Sequence, residues 1–288
     1  MSEQVSSEIY LLTLIITLIQ QFISMFGIMF NLSIVWITFK DKTLQTSFGL
    51  LIAINCLYDA INESSTFLST ILVLFQTKIS LLSCFYASIL QCLLCGVNIN
   101  FIIFFISIDR LIGWTCPIFY NFVLENNAKF YVLVLNIIAT FVALYFIYAD
   151  YLNVLENKYD QTYCEPADLA IGDVLSILLS IAIVLILLTL FIYIILGCLI
   201  KFSKNEHSEA KLTKQMYKSL IIIVTSIICL DFFGLFAAKI FVPILSDDPQ
   251  FRFLYFRLFA QFITVSGALN WNNVVTIVKH ATFVQPAL

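Results

Sequence analysis

Residues 84–120 read CFYASILQCLLCGVNINFIIFFISIDRLIGWTCPIFY. An apolar run of membrane-spanning length ends at the charged pair Asp109-Arg110, and Pro117 and Tyr120 follow in the pattern DR-x6-P-x2-Y. Roughly 20 helical residues cross the hydrocarbon core of a bilayer. The stretch therefore predicts a transmembrane helix with a charged pair at one end, and the rest of the chain is interpreted around it.

The composition is that of an integral membrane protein. Of the 288 residues, 61% are hydrophobic and 11% are charged, whereas soluble domains have roughly 45–50% and 25%. The apolar residues form runs of helix length and not the short alternating strands of a barrel, so the spans are predicted to be helices.

Apolar runs long enough to span a bilayer occur seven times, which predicts an all-α, single-domain bundle of seven transmembrane helices over residues 1–288. An odd number of spans places the two termini on opposite sides of the membrane. The predicted spans are 9–39, 46–75, 81–108, 129–149, 171–202, 219–245 and 251–278.

Basic residues favour an orientation with the N-terminus outside and the C-terminus in the cytoplasm, because Lys and Arg concentrate in cytoplasmic loops. In that orientation ten of the fifteen basic residues are inside and five are outside. The inner ten are Lys40, Lys42, Arg110, Lys129, Lys201, Lys204, Lys211, Lys214, Lys218 and Lys279.

The DR-x6-P-x2-Y pattern resembles the cytoplasmic end of the third helix in rhodopsin-like G-protein-coupled receptors. Gly27 with Asn31, and Asp59 in the second span, resemble further polar landmarks of that superfamily. The phrase LQTSFGLL at residues 44–51 and the loop around Cys164 are more similar to nematode serpentine chemoreceptors, in particular classes X and SX.

The resemblance implies specific roles for several residues. Asp109, Arg110, Pro117 and Tyr120 would couple the receptor to a heterotrimeric G protein. A conformational polar network would contain Asn31, Asp59 and Asn270, in which Asp59 either binds sodium or is a neutral acid in a structural hydrogen-bond network.

The resemblance also implies a disulfide between the outer end of the third helix and the following outer loop. Cys84 and Cys164 match these two places, and two free thiols are the alternative. Other landmarks are missing: Cys229-Leu230-Asp231 stands where the sixth helix usually has tryptophan-proline, and Asn270-Trp271-Asn272-Asn273-Val274 replaces Asn-Pro-x-x-Tyr.

Charged side chains within the spans are candidates for ligand binding, because charges in a bilayer are costly and usually pair or face a cavity. Glu63, Asp231, Lys239 and Arg257 are predicted to line a pocket for an extracellular small molecule. The alternatives are extension of Lys239 and Arg257 toward lipid headgroups and a buried structural partner for Asp231.

Other functions find less support. The net charge of −3 and the lack of a basic cluster argue against nucleic acid. His207 and His280 lack metal-ligand spacing, and no Gly-x-Gly-Asp motif surrounds Asp231, so neither an enzyme nor a cofactor is expected.

The sequence thus predicts a chemosensory receptor in the plasma membrane, with a sensory-cell cilium as a candidate location and with lipid, a small molecule and a G protein as partners. A receptor-like protein that does not signal and a seven-helix ligand-gated channel or transporter remain as alternatives.

Overall fold

The computed structural model describes residues 2–164 and 173–202. Its α-helices are α1 (Ser2–Lys40), α2 (Ser47–Ser64), α3 (Thr66–Leu74), α4 (Leu81–Ser88), α5 (Cys95–Thr115), α6 (Pro117–Phe119), α7 (Ala128–Glu156) and α8 (Asp173–Phe202). A 3₁₀ helix spans Lys42–Leu44, π-helices span Ile89–Leu94 and Tyr120–Glu125, and the strands are β1 (Ile79–Ser80) and β2 (Gln161–Thr162).

Four helical segments among the described residues are long and apolar enough to cross a membrane: Tyr10–Lys40, Cys95–Thr115, Ala128–Glu156 and Ser176–Phe202. The predicted spans 219–245 and 251–278 lie outside the described residues. So do four of the predicted site residues, Asp231, Lys239, Arg257 and Asn270.

Helix α1 packs through a stripe of small and polar side chains. Gln20, Ser24, Gly27 and Asn31 are buried at helical spacing, and α1 packs mainly against α2. The other face of α1 carries exposed apolar side chains such as Trp36. This is the arrangement expected in lipid, where small residues allow close helix contact and apolar ones face the acyl chains.

The predicted second span, 46–75, is divided into α2 and α3 at Ser65. The Ser65 backbone N–H donates to the Asn62 carbonyl at 3.1 Å, and the Ser65 hydroxyl donates to the same oxygen at 2.7 Å. The Thr66 hydroxyl donates to the Glu63 carbonyl at 2.9 Å. Hydroxyls that bond to the preceding turn compete with the regular helical pattern and bend the helix.

The third span is longer and less regular than the predicted 81–108. It passes through α4, the π-helix Ile89–Leu94 and α5, and ends at Thr115. The helix stops directly before Cys116 and Pro117, because proline disfavours helical backbone in the residue that precedes it.

The fourth span was predicted to end at residue 149, with the outer connection beginning at Asp150. Helix α7 continues past that boundary to Glu156, and Asp150 is a fully buried helical residue. Val154, one turn later, is also fully buried in the core cluster that surrounds the disulfide. The apolar packing of this last turn extends the helix beyond the point where the sequence turns polar.

One end of the bundle, here called the disulfide end, is tied together by Cys84 and Cys164. These residues form a disulfide with 5.3 Å between their Cα atoms. Strands β1 and β2 pair antiparallel beside it, with Ile79 opposite Thr162. The Cys164 backbone N–H donates to the Thr162 hydroxyl at 2.9 Å, so the loop after α7 is fixed against the start of the third span.

The opposite end, here called the Arg110 end, contains the connections from α1 to α2 and from α5 to α7. Asp41 caps the 3₁₀ helix by accepting hydrogen bonds from the Thr43 N–H and hydroxyl at 2.9 and 2.8 Å. These bonds, the backbone one first, lower the pKa of Asp41 below its ordinary value.

We expect replacement of Cys84 or Cys164 by serine to destabilise the fold by about 2–5 kcal/mol, because the bond links residues 80 positions apart. The double variant should lose no more than the more affected single variant, since either substitution removes the whole bond. Thermal denaturation in detergent measures the effect. Cys116→Ser, which alters an exposed free thiol, is the control, and a Cys84→Ser protein as stable as wild type would contradict the expectation.

Candidate functional site

The centre of the Arg110 end is the carboxylate of Asp109, whose side chain is 0% exposed. Its Oδ2 accepts hydrogen bonds from Arg110 Nε at 3.1 Å and from Arg110 Nη2 at 2.5 Å. Oδ2 also accepts the Tyr120 hydroxyl at 3.1 Å, and Oδ1 accepts the Ser47 hydroxyl at 3.0 Å. Both carboxylate oxygens are therefore satisfied by donors, as a buried charge requires.

The guanidinium of Arg110 is held on more than one side. Besides its two bonds to Asp109, Nη2 donates to the Tyr120 hydroxyl at 2.5 Å. The guanidinium carbon lies 4.0 Å from the centroid of the Phe48 ring and 5.6 Å from that of the Tyr120 ring. Arg110 is 14% exposed, so its charge is largely shielded from water but still reachable from this end of the bundle.

The short segment after α5 positions Tyr120. Pro117 occupies the first turn of α6, where its fixed φ suits a helix start and its missing N–H costs no hydrogen bond. The Tyr120 N–H bonds to the Cys116 carbonyl at 2.9 Å. This single turn directs the Tyr120 hydroxyl back toward Asp109. All four residues predicted for coupling thus lie together, three in direct contact and Pro117 in the supporting turn.

Ser47 and Phe48 were missed by the sequence analysis, although both contact this group. The Ser47 and Tyr120 hydroxyl oxygens are 2.5 Å apart, and Ser47 is fully buried. Their positions at the start of α2 fall within LQTSFGLL, which was noted only as a resemblance. Nothing in the sequence pairs Ser47 with a carboxylate 62 positions later.

Helix α8 borders the same end of the bundle and packs against α5. Its fully buried side chains Tyr193, Leu196 and Ile200 form a cluster against which Trp114 packs, one turn beyond Arg110. The fifth span is thereby placed beside the Asp109-Arg110 pair.

Two members of the predicted polar network, Asn31 and Asp59, lie on the helices α1 and α2, which pack together, and α2 also packs against α5. Asp59 accepts a hydrogen bond from Asn55 Nδ2 at 2.9 Å. Asn31 and Asn98 are almost completely buried, and within residues 2–164 and 173–202 neither Asn31 Nδ2 nor the amide of Asn98 has a hydrogen-bond partner. Buried amides of this kind usually bond to ordered water or to a bound polar group.

Glu63 faces α1. A Cβ placed on Gly27 would overlap the Glu63 carboxylate, so any other residue at position 27 would require this carboxylate to shift. Glu63 is buried, and its Oε2 has no hydrogen-bond partner among the described residues. Its predicted pocket neighbours Asp231, Lys239 and Arg257 lie outside those residues.

The comparison with protein families decides the class of the protein. Residues 24–284 match the family of serpentine type 7TM GPCR chemoreceptors named Srsx. The chain belongs to this family. This Srsx receptor is therefore a multi-pass, seven-helix membrane protein and a chemosensory G-protein-coupled receptor, in one of the two classes that its sequence resembled.

Family membership also bears on the alternative functions. The Srsx family is a receptor family and not an enzyme class, and it implies a ligand and a G protein as partners in general. It does not favour the channel or transporter, or the receptor-like protein that does not signal. No curated protein is similar enough to the chain to count as a match.

We predict that Gly27→Ala forces the buried Glu63 carboxylate to shift and costs about 1 kcal/mol relative to an unobstructed Gly→Ala substitution, because the new methyl group overlaps the end of that side chain. The matched control is Gly96→Ala, whose Cβ would meet Asn62 Oδ1 at an ordinary contact distance of 3.7 Å. Thermal denaturation of the purified variants distinguishes them. In a Glu63→Ala background the added cost of Gly27→Ala should disappear, and an unchanged cost there would refute the contact.

Proposed function

We propose that this Srsx receptor binds an extracellular small molecule and activates a heterotrimeric G protein through its Arg110 end. The observation that carries the proposal is the group formed by Asp109, Arg110 and Tyr120. In this group, Asp109 and Tyr120 hold the Arg110 guanidinium in a defined place through hydrogen bonds. Arg110 can exchange these bonds for bonds to another partner.

We further propose that the N-terminus lies outside and the C-terminus in the cytoplasm of the plasma membrane, with one seven-helix domain over the whole chain. The distribution of ten inner and five outer basic residues supports this orientation. A second argument is independent of it: the disulfide end then faces the exterior, the oxidising side on which disulfides persist. The Arg110 end correspondingly faces the G protein.

In the resting receptor, Asp109 and Tyr120 hold Arg110. A ligand shifts the bundle only if it binds one packing better than the other. The proposed response is movement of the inner ends of the fifth and sixth helices, which opens a crevice at Arg110. Arg110 then leaves its partners and contacts the G protein. Because such coupling is reciprocal, a bound G protein should tighten ligand binding.

The ligand site is proposed to lie toward the disulfide end and to include Glu63, Asp231, Lys239 and Arg257. Acidic and basic groups together favour a polar or zwitterionic ligand. Asp59, with Asn31 and Asn270, is proposed as the conformational network between the two ends. Its hydrogen bond to Asn55 and the buried amide of Asn31 support a hydrated or ion-binding centre there.

The proposal is tested by measuring G-protein activation in cells that display the receptor at verified, equal surface levels, across a panel of odorants and peptides. Arg110→Ala should abolish the ligand response, because the side chain that contacts the G protein is gone. Lys42→Ala, an exposed basic residue at the same end of the bundle, should keep it and serves as the control.

A ligand response that survives Arg110→Ala at equal surface level would contradict the coupling role. An ionic current that is independent of Arg110 would instead support a channel.

The orientation is tested with epitope tags. A tag fused before Met1 should be accessible to antibody on intact cells, whereas a tag inserted between Lys42 and Thr43 should become accessible only after permeabilisation. The reverse pattern would overturn the proposed orientation and, with it, the access of a cytoplasmic G protein to Arg110.

A further inference from the structure

The phrase LQTSFGLL, residues 44–51, forms a turn of fixed shape at the start of α2. The Thr46 hydroxyl caps the helix by accepting the Gly49 N–H at 3.1 Å. A Cβ on Gly49 would overlap the carbonyl oxygen of Leu44, so the backbone approaches too closely for any other residue. The cap and the glycine together fix the backbone at the start of α2, and thereby the positions of the Ser47 and Phe48 side chains.

Those side chains, Ser47 and Phe48, lie against the Asp109-Arg110 pair. Ser47 donates to Asp109 Oδ1 at 3.0 Å and thereby fixes the distance between α2 and α5. Phe48 places its ring 4.0 Å from the guanidinium carbon of Arg110. A cation within about 6 Å of an aromatic centroid is attracted by the ring quadrupole, and more strongly where both are shielded from water.

We propose that Phe48 is a positioning residue that holds Arg110 in its resting orientation, so that the Phe48–Arg110 stack sets the basal activity of the receptor. The proposal rests on the coupling role proposed above for Arg110. It adds a contact that crosses from α2 to α5 and gives each of the four residues Thr46, Ser47, Phe48 and Gly49 a part in positioning that contact.

The sign of the effect follows from the two states. Release of Arg110 requires loss of its bond to Tyr120, its pairing with Asp109 and its stack on Phe48. Removing the stack makes only the held state less favourable, so the released fraction increases. For a contact of this kind the ratio of released to held receptor should increase by about three- to thirtyfold.

Phe48→Leu is the informative variant, because it keeps an apolar side chain of similar size and removes the ring. Phe48→Tyr keeps the ring and is the conservative control. Basal nucleotide exchange is measured without ligand on a panel of heterotrimeric G proteins and normalised to surface display. Phe48→Leu should raise basal exchange several-fold, whereas Phe48→Tyr should stay near wild type. Equal exchange in both variants would overturn the proposal.

A second measurement needs no G protein. The melting temperature of the purified full-length receptor is determined for Phe48→Leu in the wild-type and in the Arg110→Ala background. If the ring acts through Arg110, the substitution lowers the melting temperature only where Arg110 is present. The same decrease in both backgrounds would mean that Phe48 merely packs, and would overturn the proposal. Phe48→Met, which also lacks the ring, replaces Phe48→Leu if the latter is poorly displayed.

The two measurements separate the failure of this proposal from that of the proposed function. Thermal coupling between Phe48 and Arg110, with no nucleotide exchange from any variant or ligand, would refute the G-protein role of Arg110 while supporting the stack. Exchange that depends on Arg110, without coupling to Phe48, would refute the stack alone.

Discussion

A buried carboxylate must be paired, and at the Arg110 end that requirement organises three segments at once. Asp109 is 0% exposed and accepts hydrogen bonds from Arg110, Tyr120 and Ser47. Its donors come from α5 itself, from the π-helix after α6 and from the first turn of α2. Removing any one donor leaves part of a buried charge unsatisfied, which costs more than an ordinary hydrogen bond contributes. The carboxylate therefore fixes the relative positions of these segments.

The disulfide end is fixed by a different kind of interaction. There a covalent bond between Cys84 and Cys164 lies inside an apolar cluster with Phe85 and Val154. A covalent bond does not exchange partners, whereas the hydrogen bonds of Arg110 do. The bundle thus has one end that is permanently tied and one that is held reversibly, with polar buried side chains such as Asn31 and Asn98 between them. A conformational change is least costly at the reversible end.

Apart from the disulfide between Cys84 and Cys164, which the family resemblance implied, the parts of this structure that sequence could predict are local ones. Asp109, Arg110 and Tyr120 lie within twelve residues, so a helix followed by one turn brings them together. Ser47 and Phe48 reach them from more than 60 positions away, and only the packing of α2 on α5 shows the contact.

Helix α7 extends beyond the predicted fourth span for a related reason. Asp150 is typical of a loop by residue type, but tertiary packing buries it within the helix. For the sixth and seventh spans, and thus for Asp231 and Asn270, the sequence prediction stands untested. The family assignment supports the seven-helix fold as a whole and leaves these individual residues open.

The contacts of Arg110 also differ in how they respond to movement of the neighbouring segments. Asp109 and Arg110 are adjacent in the same helix, so the ion pair between them persists when α5 moves as a rigid body and carries no information about the other helices. The contacts with Phe48 and Tyr120 come from outside α5 and change as soon as α2 or the segment after α6 shifts by a fraction of a ring diameter. Sensitivity to the arrangement of the bundle therefore resides in the aromatic and hydroxyl partners of the arginine and not in its salt bridge.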